Sequence, residues 1–154
     1  MISIAIEDPA TPEIMALLDD GERYGASLYP AESNHFLSIE ALRDAKTRFV
    51  VARDGDGAAV GTGAVALYDG WAELKRMWVV PAARGKGLSK ALLADLEARA
   101  SDAGARRMCL ETGIHNHEAL ALYERAGYLR CEPFGDYRPD PFSVFMAKDI
   151  ISRG

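Results

Sequence analysis

Between Trp71 and Ala103 the chain passes through an apolar segment, a proline turn, a short basic glycine loop and an amphipathic stretch, in that order. Trp71 to Val80 reads as a strand and Pro81 opens the turn. Arg84-Gly85-Lys86-Gly87 is the loop. Leu88, Leu92 and Leu96, reinforced by Ala91 and Leu93, then make one stripe of a helix that Gly104 ends. Gly85 and Gly87 lack a Cβ, so backbone N–H groups can turn inward and approach a ligand closely. The first turn of the helix leaves further N–H donors unpaired, and its dipole adds partial positive charge there. With the full charges of Arg84, Lys86 and Lys90 nearby, this is an anion site, most naturally for a phosphate or pyrophosphate.

Two common phosphate motifs do not describe it. The run Gly85-Lys86-Gly87-Leu88-Ser89-Lys90 lacks the G-x-x-x-x-G-K-[ST] spacing of a Walker loop. Gly61-Thr62-Gly63-Ala64-Val65-Ala66, the near match to a dinucleotide fingerprint, lies inside a β-type run with no helix after it. What remains is Arg84-x-x-Gly87-x-Ser89, preceded by Met77-Trp78-Val79-Val80-Pro81. It resembles the Q/R-x-x-G-x-G/A signature of the GNAT superfamily of N-acetyltransferases, with Ser89 where Gly or Ala is usual. Downstream, Leu110-Glu111-Thr112, Asn116, Ala119, Leu122-Tyr123 and Gly127-Tyr128 resemble that family's second motif. Alone, Arg84 to Gly87 would be a charged surface turn; the second motif, in the family's order and spacing, argues otherwise.

The 154 residues are enough for one domain, 1–154, with a sizeable core. A net charge of −5 argues against nonspecific nucleic-acid binding, so the basic loop is a local feature on an acidic body. No stretch is apolar for long enough to span a bilayer, and no signal peptide opens the chain. Cys109 and Cys131 sit in strand-like apolar surroundings and point to reduced thiols in a cytoplasmic protein, although the sequence leaves a disulfide between them open.

In chain order, Ile2 to Ile6 reads as a strand. Thr11-Pro12-Glu13 starts a helix with a capping hydroxyl and an apolar face at Ile14, Leu17 and Leu18. An irregular stretch from Tyr24 to Phe36 precedes a short helix, Ile39 to Ala45. Arg48–Arg53, Ala59–Leu67 and Trp71–Val80 are strands in series, the first two joined by the hairpin turn Asp54-Gly55-Asp56-Gly57. Arg107–Thr112 is a strand, Glu118–Ala126 a helix, and Tyr128–Cys131 and Phe142–Ala147 the last strands. The expectation is an α/β fold, one mixed and mostly antiparallel sheet flanked by about four helices. The family resemblance implies that the sheet splays between its fourth and fifth strands. Trp71 and Trp78 are expected in the core.

The resemblance implies acetyl-CoA as cosubstrate and no metal. His115-Asn116-His117 puts two imidazoles on one face, but no further His or Cys stands at a convincing zinc spacing. By register, the backbone of Met77, Trp78 and Val79 would bind the pantetheine arm. Arg84, Gly85, Lys86, Gly87, Leu88, Ser89 and Lys90 would hold the pyrophosphate, and Asn116 would contact the cofactor. Tyr123 matches the family's general acid for the leaving thiolate. A phenol gives its proton to that thiolate only uphill, so loss of Tyr123 should slow the reaction without abolishing it. An attacking amine must also lose a proton, since an alkylammonium of pKa about 10 dominates at neutral pH. Glu73 matches the base of histone-type relatives and Glu111 that of some ribosomal-protein acetyltransferases. A water chain or His35 remains the other option.

The resemblance implies that the acceptor is clasped by the first two helices and the loop before the last strand, here Tyr24, Tyr29, Ser33, Asn34 and His35, with Phe134, Asp136, Tyr137, Arg138 and Asp140. Of these, Tyr29, Ser33, Asn34, His35 and Tyr137 are the foremost substrate-binding candidates. With no acidic or basic tract for a polymer, the acceptor is read as a small-molecule amine, an amino acid or amine metabolite. A non-catalytic CoA-binding sensor and a protein N-terminal or lysine acetyltransferase are the alternatives. No nucleic-acid or membrane partner is expected. Many relatives dimerise, so a homodimer is an option that no residue here establishes.

Overall fold

The computed structural model describes residues 1–33 and 37–150. The strands are β1 (Ser3–Ile6), β2 (Thr47–Arg53), β3 (Ala59–Leu67), β4 (Trp71–Val79), β5 (Arg107–Gly113), β6 (Leu129–Arg130) and β7 (Ser143–Asp149). The helices are α1 (Pro12–Leu28), α2 (Ile39–Leu42), α3 (Leu88–Asp102) and α4 (His117–Arg125). All seven strands form one sheet in the order β1-β2-β3-β4-β5-β7-β6. Every pairing is antiparallel except β4 with β5.

Both faces of the sheet are covered, which explains the near-continuous apolar strands. In β2, Val50 and Ala52 point into a core shared with α3 and α4, whereas Phe49 and Val51 join Ile14, Leu17 and Leu18 of α1 in a second core. Leu92 and Leu96, both fully buried, press α3 onto β3. Each contributes roughly 1.5–3 kcal/mol from burial alone. The glycines of β3 permit that approach: a Cβ at Gly63 would lie 2.7 Å from Leu96 Cδ1, and one at Gly61 would lie 3.0 Å from Leu92 Cδ1. The glycine run that looked like a weak nucleotide fingerprint is therefore a packing surface.

Several local expectations are corrected. The first helix does not stop near Tyr24 but continues to Leu28. No helix breaker intervenes until Pro30, which holds Tyr29 extended at φ −135°. Thr11 precedes the helix without its hydroxyl making a capping bond. The second helix is a single turn, capped by Ser38, whose side chain accepts from the Ala41 N–H at 3.1 Å. At the other end of α4, Gly127 at φ 98° lets the Tyr128 N–H return to the Tyr123 carbonyl at 3.0 Å. Cys109 and Cys131 are both free thiols. Neither tryptophan enters the core. Trp71 stacks on Tyr68 and meets Phe134 edge-on, and Trp78 packs under α1 at Gly21.

One irregularity in β4 had no expectation attached to it. The β3–β4 register runs Thr62↔Trp78 and then Ala64↔Lys75, so Arg76 and Met77 together face Gly63. Arg76 takes up the extra residue at φ 58°. This is a bulge built on a non-glycine residue in the left-handed region.

Candidate active site

β4 and β5 are paired only from Trp71–Arg107 to Leu74–Leu110. Beyond that point the strands part, and the gap opens into a cleft of about 1090 Å³. Its walls are β4 from Leu74 to Val79, β5 from Leu110 to Gly113, the inner face of α1, the loop before α3, and α4.

The glycine loop forms one lip. Gly85 and Gly87 adopt φ 79° and 78°, and nothing lies within 4 Å of an added Cβ at either position, so conformation rather than space requires glycine there. Gly87 is the residue before α3, and no side chain caps that helix. The first-turn amides of a four-turn helix therefore face the cleft lip, an anion-binding arrangement. Arg84, Gly85, Gly87, Leu88, Ser89 and Lys90 line the cleft; Lys86 is exposed outside its wall. Arg84 folds back, donating from Nε to the Val79 carbonyl at 3.0 Å with its guanidinium 4.9 Å above the Trp78 ring. On the opposite wall, Asn116 donates from Nδ2 to the Thr112 hydroxyl at 3.3 Å. Asn116 Oδ1 is buried without a partner among the described residues, as is the Trp78 indole N–H. A buried acceptor is costly to leave unpaired. A ligand amide lying in the cleft would satisfy it.

The two candidate bases have different surroundings. Glu111 lines the cleft and accepts from the Ser143 hydroxyl at 2.7 Å. Glu73, only 6% exposed, lies off the cleft wall. It accepts from the Tyr137 hydroxyl at 2.6 Å, with Lys75 Nζ at 3.3 Å, and Lys75 also donates to the Tyr137 oxygen at 2.7 Å. Tyr137 is thus engaged in this cluster, its ring packed against Phe134 and Phe145. Burial and the Glu73 carboxylate push its phenol far up. Tyr123 reaches the cleft from α4, buried edge-on to Tyr128. Burial first, and the Glu111 charge second, raise its phenol well above the ordinary range.

On the acceptor side, Tyr29 bridges from the end of α1 to the far wall. Its hydroxyl accepts from the His115 N–H at 3.0 Å and its ring stacks on the His115 imidazole. Gly113 is the seat for that hydroxyl: a Cβ there would lie 1.9 Å from Tyr29 Oη. Ser33 donates to Asp140 at 2.8 Å, tying the segment after α1 to the loop before β7. Asn34 and His35 lie outside the described residues. Sequence reasoning missed the seat at Gly113, the Lys75–Tyr137–Glu73 cluster and the buried guanidinium of Arg76. Only Gly113, a glycine closing a strand, carried any signal. Among the described residues, no three His, Cys, Asp or Glu side chains stand together as metal ligands. None of their helices is long and apolar enough to cross a membrane.

With this geometry in hand, the comparisons with known proteins are informative. The model of the acetyltransferase (GNAT) family matches residues 11–128. An IAA acetyltransferase from Azospirillum brasilense is 42% identical over 151 residues, covering 97% of this chain and 98% of that protein. The crystal structure of a candidate acyl-CoA N-acyltransferase from Klebsiella pneumoniae superposes with a TM-score of 0.84 at 36% identity, covering 98% of this chain and 99% of the other. PaiA N-acetyltransferase from Thermoplasma acidophilum, solved with coenzyme A, shares the fold at a TM-score of 0.75 and 17% identity, over 97% of this chain and 99% of its own.

Two outcomes follow from the burial of these tyrosines. Gly113→Ala displaces Tyr29 and loses its bond to His115. It is expected to cost roughly 1–2 kcal/mol in urea unfolding and to add nothing when combined with Tyr29→Ala. Separately, the unfolded chain releases the Tyr123 proton near pH 10, whereas the folded chain keeps it to higher pH. Stability from this group is thus complete below about pH 10 and falls above it, by up to ~1.4 kcal/mol per pH unit. Urea unfolding at stepped alkaline pH should show a shallower decline for Tyr123→Phe; an unchanged slope would mean that Tyr123 ionises freely in the folded protein.

Proposed function

The chain belongs to the acetyltransferase (GNAT) family and is an acyltransferase, and from that premise we propose its reaction. It moves the acetyl group of acetyl-CoA to the primary amine of a small molecule, an amino acid or amine metabolite, by direct attack in a ternary complex. The observation that carries this reading is the placement of Glu111 and Tyr123 on the walls of a cleft formed where β4 and β5 part.

Acetyl-CoA supplies a thioester whose carbonyl is open to attack and whose thiolate can leave. The residues present fit it. The uncapped start of α3, with Gly85 and Gly87 in the left-handed region, suits a pyrophosphate, and Lys90 and Arg84 bring charge to the same lip. Asn116 Oδ1, buried and unpaired, suits an amide N–H of the pantetheine arm, which would run along the backbone of Met77, Trp78 and Val79. Glu111 acts as base, taking a proton from the acceptor ammonium directly or through water. Glu73 is committed to Lys75 and Tyr137, which supports Glu111 over it. Tyr123, kept protonated by burial, holds a proton on the cleft wall for the departing thiolate, and because that transfer is uphill it assists the reaction without being indispensable. Tyr29 and Ser33 narrow the acceptor end, favouring a small amine over a chain. The similarity to an IAA acetyltransferase supports a small-molecule acceptor without naming it.

The test is thiol release from acetyl-CoA across a panel of amino acids, small amines and N-terminal peptides. Glu111→Gln should lower kcat/KM by ~10²–10⁴-fold, and Tyr123→Phe should lower kcat by about 10-fold without abolishing it. Glu73→Gln should affect turnover less than Glu111→Gln. Turnover confined to peptides would overturn the small-molecule reading, and a greater loss from Glu73→Gln would overturn Glu111 as base.

A further inference from the structure

Arg76 occupies the most constrained position of β4. Its backbone is left-handed at φ 58°, a region that only a few per cent of non-glycine residues enter, yet glycine was not used. Its side chain explains the choice. The guanidinium is 5% exposed. Nη2 donates to Glu22 of α1 at 2.7 Å, while Nε and Nη2 both donate to the Leu37 carbonyl at 3.1 and 2.7 Å. On the other side, the fully buried Thr62 donates its hydroxyl to the Arg76 carbonyl at 3.0 Å. One residue therefore fixes the bulge from its main chain and grips α1 and the entry to α2 with its side chain. The next residues along the strand, Met77 and Trp78, line the cleft.

We propose that Arg76 is a positioning residue. Its clamp on Glu22 and Leu37 ties the β4 bulge to α1 and to the entry to α2, and so sets the Met77–Trp78 segment against the thioester. The inference rests on the acetyl-transfer reading given above. It separates from that reading because the anion-binding lip at Gly87 makes no use of Arg76. Losing the clamp should therefore leave the pyrophosphate contacts in place and cost kcat more than acetyl-CoA affinity.

The experiment compares the parent with Arg76→Gly, which accepts the left-handed backbone but removes the clamp, with Arg76→Lys, and with Glu22→Gln. In a parent that acetylates an amine, Arg76→Gly should lower kcat by about 10–100-fold with acetyl-CoA affinity within about 3-fold of the parent. Arg76→Lys should recover part of the loss, and Glu22→Gln should add little to Arg76→Gly. Near-parental kcat in Arg76→Gly would overturn the proposal, as would matched losses of kcat, acetyl-CoA affinity and melting temperature. A parent that binds no acetyl-CoA and acetylates nothing would instead refute the function. Hydrogen exchange then tests the clamp alone: Arg76→Gly should speed exchange at Met77, Trp78 and residues 37–42 together, and unchanged exchange there would overturn it.

Discussion

The site exists because two neighbouring strands stop pairing. β4 and β5 share four paired positions, up to Leu74 and Leu110, and then separate. A parallel pair in mid-sheet would otherwise bury its backbone groups in a ladder. Here the two strands part instead, and the gap is a cleft. The cost is met locally. Arg76 absorbs the extra residue of the bulge, and the Thr62 hydroxyl satisfies its carbonyl. Elsewhere the sheet is tightly held, with Leu92 and Leu96 seated on the glycines of β3.

Electrostatics divide the labour among acidic groups of one chemical type. Glu73 and Glu111 lie on adjacent strands, yet one is enclosed by Lys75 and Tyr137 and the other faces the cleft. The enclosed carboxylate fastens the loop before β7 to β4, because Tyr137 comes from that loop. The open one lines the cleft and accepts from the Ser143 hydroxyl. Tyr123 and Tyr137 are both phenols held neutral by burial. Of the two, only Tyr123 reaches the cleft.

Much of this was legible in the chain. The order of helices and strands, the glycine loop before α3 and the position of Tyr123 on α4 all follow from short-range patterns: apolar periodicity, turn residues and two spaced motifs. What was not legible depends on long-range packing. Nothing near Arg76 in sequence announces a left-handed residue, since the reasons lie 14 residues away at Thr62, 39 at Leu37 and 54 at Glu22. The different surroundings of Glu73 and Glu111 were not legible because they depend on Tyr137, 64 residues from Glu73. The length of α1 was misjudged for a related reason. Its C-terminal half is polar and aromatic, and it is placed by tertiary contacts, Gly21 seating against Trp78 and Gly25 lining the cleft, rather than by propensity.

The central claim is that this cleft holds a CoA thioester with its pyrophosphate at the start of α3. Calorimetric titration of the parent and of Gly87→Glu with acetyl-CoA tests it most directly, because that substitution puts both a side chain and a negative charge into the anion site. The account predicts binding on the order of micromolar for the parent and its loss in Gly87→Glu, with the variant still folded. Absence of binding by the parent at millimolar acetyl-CoA, or equal affinity in the two proteins, would contradict it.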